Sequence, residues 1–197
     1  EQCVCSVSAS TIAMTCSKST KAEEEFPSAK QLSEAIPIEY AAFSKQITIQ
    51  FKSYTILPKN SFALVSKNLN ELRLGSNMLI QVDRESFAGC TTLTLLTLDN
   101  NLLDDIAENT FADLSSLRTL NLSTNNIQQI RANTLLGLSK LETLYADNNR
   151  IGQIDAKAFQ YLPSLGQLSL GYNHIKTIPG YLFANCVFLR TLTLSFN

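Results

Sequence analysis

Apolar residues recur along this chain with a period of 24 residues, and polar residues keep fixed places between them. Each unit reads L-x-x-L-x-L-x-x-N-x-(L/I), and the units open at Leu69, Leu93, Leu117, Leu141, Leu165 and Leu189. The L-x-L part alternates with period two, which predicts a short strand whose leucines face one side. Because one unit cannot bury its own leucines, the units are predicted to stack into a solenoid with a parallel sheet and a continuous core.

Two further columns complete the repeat. An asparagine follows every predicted strand, at Asn77, Asn101, Asn125, Asn149, Asn173 and Asn197. The chain must turn there, and a side-chain amide can both donate to and accept from backbone groups of adjacent turns, so we predict a structural ladder inside the coil. Large apolar residues, predicted to fill the convex side, stand at Phe87, Phe111, Leu135, Phe159 and Phe183.

A weaker unit precedes the regular ones. Its apolar residues fall on the same columns, at Ile47, Ile49, Tyr54, Leu57 and Phe62, and Lys52 stands where asparagine belongs. The predicted organisation is therefore a cysteine-containing N-terminal segment with its connection, 1–43, followed by repeats over 44–197. The repeats divide into a divergent unit, 44–68, five 24-residue units, 69–188, and a truncated unit, 189–197.

Charge and composition narrow the function classes. A nucleic-acid-binding protein normally carries a basic excess, whereas the formal net charge here is −1, so no nucleic-acid partner is predicted. No run of about 18 apolar residues occurs, so no membrane span is predicted.

These motifs are similar to those of the leucine-rich repeat family, in the 24-residue form with a late phenylalanine that typifies animal extracellular proteins. The resemblance covers about 44–197. It implies an α/β leucine-rich repeat solenoid, a curved horseshoe with a parallel sheet on the concave face and a mostly irregular or short-helical convex side. The wording "VDRESF", "IAENTF" and "IDAKAF" resembles Toll-type and Slit-type arrays more than the variable receptors of jawless vertebrates.

The resemblance extends to the start, where "CVCSVSASTIAMTC" is similar to the N-terminal cysteine cap of these proteins, a small hairpin. That cap usually carries four cysteines, paired first to third and second to fourth, whereas only Cys3, Cys5 and Cys16 occur here. The resemblance implies a Cys3–Cys16 disulfide and leaves Cys5 unpaired or bound to a cysteine removed upstream. Metal binding by the three cysteines is the competing interpretation, although zinc sites normally use four ligands in other spacings.

Elsewhere, no metal site or cofactor is predicted. Cys90 and Cys186 share one repeat offset four repeats apart, too far for a mutual disulfide, so free and buried thiols on the convex side are expected. The irregular stretch 17–37 is interpreted as a solvated loop that lengthens the cap, with a partner-binding insertion as the alternative.

The outward strand residues form a surface that we call the strand face. It comprises Glu71, Arg73, Gly75, Leu95, Thr97, Asp99, Thr119, Asn121, Ser123, Thr143, Tyr145, Asp147, Gln167, Ser169, Gly171, Thr191, Thr193 and Ser195. The family commonly binds protein or lipid-like ligands there. Because binding hot spots favour Tyr and Arg, the candidate ligand-binding residues are Tyr145, Tyr172 at the margin, and Arg73. For Tyr145 the alternative is a plain strand-forming role.

Asn121 begins the sequence "NLS", an acceptor motif for N-glycosylation. A glycan there would partly cover the strand face, and binding would then use the flanks or the convex side.

An enzyme is not predicted. The single histidine, His174, follows the ladder residue Asn173 in a turn, where a surface role is the simpler interpretation. A general base needs an oriented partner, and no nucleophile motif such as G-x-S-x-G accompanies this histidine.

Two functional hypotheses remain. The first is an extracellular ligand-recognition module within an innate-immune or cell-surface receptor, and the second is a structural extracellular-matrix or cell-adhesion protein. Saturable binding to one ligand favours the first, and broad collagen-type association favours the second. The chain stops at Asn197 with no closing coil, so we expect a fragment of a longer protein that self-associates through its uncapped C-terminal end.

Overall fold

A computed structural model describes residues 2–8, 11–17, 45–51, 55–63 and 65–197, with the backbone alone for 2–8, 11–17 and 49–51. The main sheet has nine strands: β1 (Gln2–Ser8), β2 (Thr11–Ser17), β3 (Gln46–Phe51), β5 (Glu71–Arg73), β7 (Leu95–Thr97), β8 (Thr119–Asn121), β10 (Thr143–Tyr145), β12 (Gln167–Ser169) and β13 (Thr191–Thr193). Four two-residue strands pair beside it: β4 (Ile56–Leu57) with β6 (Gln81–Val82), and β9 (Gln129–Ile130) with β11 (Gln153–Ile154).

The sheet is parallel from β2 onward, and its register follows the repeat. Leu72 of β5 pairs with Leu96 of β7, and Leu96 pairs with Leu120 of β8. The first two strands form an antiparallel hairpin, and β2 joins β3 in parallel. The predicted solenoid, built one coil at a time around a parallel sheet, is confirmed.

The divergent first unit supplies β3. Ile47 pairs with Leu72 of β5. The side chains of Ile47, Leu57 and Phe62 are at most 1% exposed. Two residues assigned to this unit, Lys52 and Tyr54, lie outside the described residues, and so does the predicted connection 17–37 apart from Ser17.

One apolar core runs through all the described repeats. Each strand of the regular repeats from β5 to β12 buries its central leucine and leaves both flanking residues half-buried, because successive side chains point to opposite faces. On the other side of the core, Phe62 stacks on Phe87 with ring centroids 6.1 Å apart, and Phe87 stacks on Phe111 at the same separation. Dispersion and apolar burial thus link every coil to the next.

The convex side takes the irregular form. Its backbone bonds close single turns, for example from the Cys90 N–H to the Phe87 carbonyl at 3.1 Å, and no described residue is helical. The helical component of the predicted α/β class is absent from the described part because these turns are not continued into a second one. Accordingly, no helix there is long and apolar enough to cross a membrane.

The asparagine column ties neighbouring coils together. The amide of Asn125 donates to the carbonyls of Leu98 at 2.9 Å and Leu122 at 3.0 Å, and its oxygen accepts from the Leu103 N–H at 3.1 Å. Asn101, Asn149 and Asn173 make the same three kinds of bond. Asn197 also bonds Leu170, Leu194 and Ile175. Buried backbone groups that the turn leaves without partners are satisfied in this way.

A left-handed column precedes the asparagines. The residue before each of them has a φ between 53° and 62°, at Ser76, Asn100, Thr124, Asn148, Tyr172 and Phe196. This backbone conformation turns the chain off the strand and presents the following asparagine to the core. Asn adopts it readily, whereas β-branched and bulky residues are strained there.

Candidate functional site

The strand face is a regular surface whose residues on β5, β7, β8, β10 and β12 are half-buried. The parallel register aligns its residues into columns, so that Thr97, Asn121 and Tyr145 stand side by side on β7, β8 and β10. Neighbouring strands lie roughly 4.8 Å apart, which lets adjacent side chains of a column act on one ligand. Hydroxyl, amide and carboxylate groups dominate the surface.

Tyr145 is the aromatic residue in the middle of this face. It is half-buried between Asn121 of β8 and Ser169 of β12. Its phenol hydroxyl makes no hydrogen bond to the described residues. Because its neighbours are small and polar, the ring and the hydroxyl are both available to a ligand.

The other two predicted anchors do not join Tyr145. Arg73 lies three strands away, roughly 14 Å at the usual strand spacing. One terminal nitrogen of its guanidinium donates to the Glu71 carboxylate at 2.8 Å, so the charge is already paired. Tyr172 lies in the turn after β12, is 53% exposed, and stacks on Phe196 with ring centroids 4.4 Å apart. The three residues therefore occupy three separate places on the solenoid.

Asn121 occupies the centre of the strand face. Its side-chain oxygen accepts a hydrogen bond from the Ser123 N–H at 3.0 Å, which holds the acceptor motif in a local turn. The residue is half-buried, and its lateral neighbours are Thr97 and Tyr145. A glycan on Asn121 would therefore cover Tyr145.

Two aspartates of the strand face, Asp99 and Asp147, each lie against a glycine of the preceding or following coil. A Cβ atom on Gly75 would lie 2.8 Å from the Asp99 carboxylate, and one on Gly171 would lie 3.2 Å from that of Asp147. The Asp147 carboxylate is fixed by the Ser169 hydroxyl at 2.5 Å and the Gly171 N–H at 2.9 Å. The Asp99 carboxylate makes no hydrogen bond to the described residues, which leaves it free for a basic group.

Two grooves lie on the loop side that follows the strands. The first, of about 670 Å³, is lined by four carboxylates, Asp83, Glu85, Asp104 and Asp105, and by two cations, Lys59 and Arg84. The second, of about 620 Å³, is lined by Gln128, Gln129, Arg150, Gln153, His174 and Lys176, with Gly152 between them. We call the second the amide–cation groove. Its residues Gln128, Gln129, Gly152 and Gln153 occupy the repeat columns of Ile80, Gln81, Asp104 and Asp105, two repeats later.

The loop between the grooves is held by an ion pair. A guanidinium nitrogen of Arg131 lies 2.7 and 2.8 Å from the two carboxylate oxygens of Asp105. This pair joins two successive coils and separates the acidic region from the cationic one. The side chains of Arg131 and Asp105 are 36% and 38% exposed, so solvent screens their attraction and the pair adds little to the free energy of unfolding. Its main effect is to hold the two loops in place.

The convex thiols are unsuited to chemistry. Cys90 and Cys186 are free and buried, as predicted. Burial, aided by the nearby Asp113 carboxylate, raises the pKa of the Cys90 thiol to about 12, and burial also raises the pKa of Cys186. Both therefore remain protonated thiols, which are poor nucleophiles and poor metal ligands.

The cap cysteines are described by their backbone only. Cys3 of β1 stands directly opposite Cys16 of β2, and Cys5 stands opposite Met14. Opposite residues in an antiparallel pair have Cα atoms roughly 4.5–5.5 Å apart, within the range that a disulfide spans. The Cys3–Cys16 bond and the competing metal interpretation both remain predictions. Among residues whose side chains are described, no three acidic, histidine or cysteine side chains gather as a metal site.

Sequence reasoning missed the amide–cation groove. The sequence predicts only a surface role in a turn for His174, whereas in the structure this residue shares the groove with Arg150 and Lys176. The signal was present in the repeat columns, since Arg150 and His174 are 24 residues apart, as are Gly152 and Lys176. Reading the loop columns as closely as the strand columns would have found it.

Comparisons with known proteins agree on the fold. A search of curated protein sequences found no match. Among solved structures, the chain is similar to Toll in the glycosylated Toll–Spatzle complex from Drosophila, with a TM-score of 0.66 and 23% identity. The match covers 78% of this chain and 26% of that Toll chain, so this chain spans about a quarter of it. At that level of identity the likeness shows the fold alone.

A family model gives the more specific result. The model described as a BspA type leucine-rich repeat region matches residues 55–190 in six copies. Those residues hold the strands, the asparagine ladder and the phenylalanine column of every complete repeat. The chain belongs to the leucine-rich repeat family, in its BspA-type group.

Proposed function

We propose that this chain is an extracellular ligand-recognition module that binds a protein on its strand face, as part of a cell-surface or innate-immune receptor. The observation that carries the proposal is Tyr145, a half-buried aromatic ring in the centre of a polar face, with its hydroxyl unpaired among the described residues. Tyrosine in such a position combines apolar contact area with a hydrogen-bonding tip, which is typical of binding hot spots.

The chemistry of the strand face favours a protein over a lipid-like ligand. A lipid needs a concave apolar cavity, whereas the columns around Tyr145 carry hydroxyl, amide and carboxylate groups. Leu95, the first residue of β7, is the large aliphatic side chain on this face. The unpaired Asp99 carboxylate, beside Ser123, suits a lysine or arginine of the partner.

The fold likeness to Toll supports this class of function. That structure is described as a Toll–Spatzle complex that acts in Drosophila development and innate immunity. A repeat array of the same fold thus assembles with a protein partner there. For this chain, the partner and the receptor setting are part of the proposal.

The extracellular setting is supported by the hairpin at the start of the chain. The backbone of β1 and β2 brings Cys3 opposite Cys16, and a disulfide between them would persist in an oxidising compartment. Because no Lys or Arg lies between the two cysteines, cyanogen bromide cleavage after Met14 without reduction should recover the Cys3 and Cys16 peptides as one species. Separate alkylated peptides from the secreted protein would contradict the disulfide.

Ligand binding on the strand face requires an unmodified Asn121. A glycan there would cover Tyr145, because the two residues are lateral neighbours. The variant Asn121→Gln should therefore bind the partner as the unmodified protein does. Loss of binding in this variant, with the fold intact, would contradict the proposed position of the ligand.

No catalytic role is proposed. His174 lies in the amide–cation groove without an acidic or nucleophilic side chain lining it, and the convex thiols are protonated. A general base needs a partner that orients it and a nucleophile from which it can take a proton, and the lining of this groove supplies neither. Recognition is therefore the function that the described side chains support.

An array of secreted and cell-surface proteins from the source organism tests the proposal. The labelled chain should bind one protein saturably, and should not bind fibrillar collagen or lipid vesicles spotted beside it. Broad, unsaturated association with collagen would support the structural extracellular-matrix alternative and contradict recognition. Saturable binding to the vesicles would contradict the choice of a protein ligand.

A further inference from the structure

The amide–cation groove carries an unbalanced charge. Arg150 and Lys176 line it together with the imidazole of His174, and no acidic side chain lines it. Neither cation forms an ion pair with the residues that the structure describes. In a chain of net charge −1, two unpaired cations in one groove create a local positive field that attracts an anion.

Gly152 opens the groove. Its neighbours in the same repeat column, Gln128 and Lys176, carry long side chains, so the missing side chain leaves a gap between them. Neither backbone nor packing requires glycine at this position. A Cβ atom would make only ordinary contacts, 3.6 Å from the His174 carbonyl oxygen and 3.9 Å from the His174 Cβ, and the φ is not in the left-handed region.

Three glutamines supply neutral hydrogen-bonding groups beside the cations. Gln129 and Gln153 pair across β9 and β11, while Ile130 and Ile154 of the same strands are buried in the core. The two amides are therefore held on anchored backbone. Each glutamine offers a carbonyl acceptor and an NH₂ donor, the combination that binds hydroxyl groups.

We propose that the amide–cation groove binds an acidic saccharide, with Arg150 and Lys176 on its carboxylate or sulfate and the glutamine amides on its hydroxyls. No large apolar side chain lines the groove, which disfavours a lipid and a protein hot spot. A volume of about 620 Å³ lies within the range of small-ligand sites and suits a short oligosaccharide. This site is independent of the strand face, since it lies on the loop side.

Titration calorimetry with four oligomers of equal length tests the site. The probes are a heparin tetrasaccharide, tetragalacturonate, maltotetraose and tetraglutamate. We expect binding of at least one acidic saccharide, and at least about tenfold weaker binding of the neutral one and of the acidic peptide. The heparin and galacturonate arms distinguish a sulfated from a carboxylated ligand.

Matched glycine variants locate the site. Gly152→Glu fills the gap and adds a negative charge, and should weaken binding at least about tenfold. Gly180→Glu adds the same charge at a position with nothing within 4 Å of the new Cβ, and should change binding less than about twofold. The double variant Arg150→Gln with Lys176→Gln should reproduce the loss without adding bulk, and the thermal midpoint of each variant reports folding.

Three results would overturn the proposal. They are the absence of binding to both acidic saccharides, equally tight binding of tetraglutamate, and unchanged binding in folded Gly152→Glu and in the double variant. The second would assign the groove to acidic peptides, and the third would assign saccharide binding to another surface.

Discussion

At the scale of single residues, the ladder asparagines act through both ends of one amide. Asn125 donates to the carbonyls of Leu98, Leu122 and Ser123 and accepts from the Leu103 N–H, so no aspartate or leucine could replace it. Its position could be predicted from the sequence because the same residue type returns at every repeat. The actual partners could not, because they lie on its own coil and on the preceding one and depend on the exact stagger between the two.

Removing one ladder amide should therefore destabilise the fold. Asn125→Ala leaves buried backbone groups without partners, and should lower the free energy of unfolding by about 2–3 kcal/mol in urea denaturation. Asn126→Ala is the matched control, since the half-buried side chain of Asn126 makes no hydrogen bond to the described residues, and this variant should cost less than about 0.5 kcal/mol. Equal losses in the two variants would contradict the ladder role.

The buried thiol of Cys90 should be chemically silent. Because burial and Asp113 raise its pKa to about 12, the thiolate population at pH 8 is negligible in the folded state. Iodoacetamide at pH 8 should leave the Cys90 peptide unmodified in the native protein and modify it in denaturant, as read by mass spectrometry. Rapid native labelling would show that this convex region opens.

At the scale of the elements, the turn that follows each main-sheet strand from β5 to β13 contains a residue held in the left-handed region. The sequence contained the signal, because Asn100 and Asn148 favour this conformation. The same column also contains Thr124, Tyr172 and Phe196, and these residue types normally avoid positive φ, so the column as a whole did not predict a left-handed turn. The surrounding parallel register imposes the conformation on them, which local propensity cannot anticipate.

Thr124→Asn should relieve this local strain. Thr124 is exposed and β-branched at a φ of 57°, and asparagine occupies the same position one repeat before and one repeat after. We expect a gain of about 0.5–1 kcal/mol, or about 1–4 °C in the thermal midpoint. Thr143→Asn, on the strand β10, should give no gain because asparagine is a poor strand residue. A loss at position 124 would refute the strain argument.

At the scale of the whole molecule, the solenoid was predictable and its binding surfaces were predictable only in part. The period of 24 fixes which leucines share a core, so the parallel sheet follows from pattern alone. The strand face was also readable, because alternation tells which side chains point outward. The pairing of Arg73 with Glu71 and the stacking of Tyr172 on Phe196 were not, because they depend on side-chain conformation.

The amide–cation groove shows the same limit on a larger scale. The groove is formed by residues from successive loops, among them Arg150, Gly152 and His174. The loop sequences have no period-two alternation that would predict which way each of these side chains points. The separation of acidic side chains in one groove from cationic side chains in the other likewise arises only when several coils are stacked. A single repeat contains neither surface.

The most direct test of the account is the dissociation constant of the partner for two tyrosine variants. Tyr145→Ala should weaken binding about thirtyfold or more, as expected for a hot spot worth about 2 kcal/mol. Tyr181→Ala removes an equally large ring that is 94% exposed on a loop, and should leave the dissociation constant within about twofold. If Tyr145→Ala binds the partner as tightly as the unaltered protein, the strand face around Tyr145 is not the recognition surface.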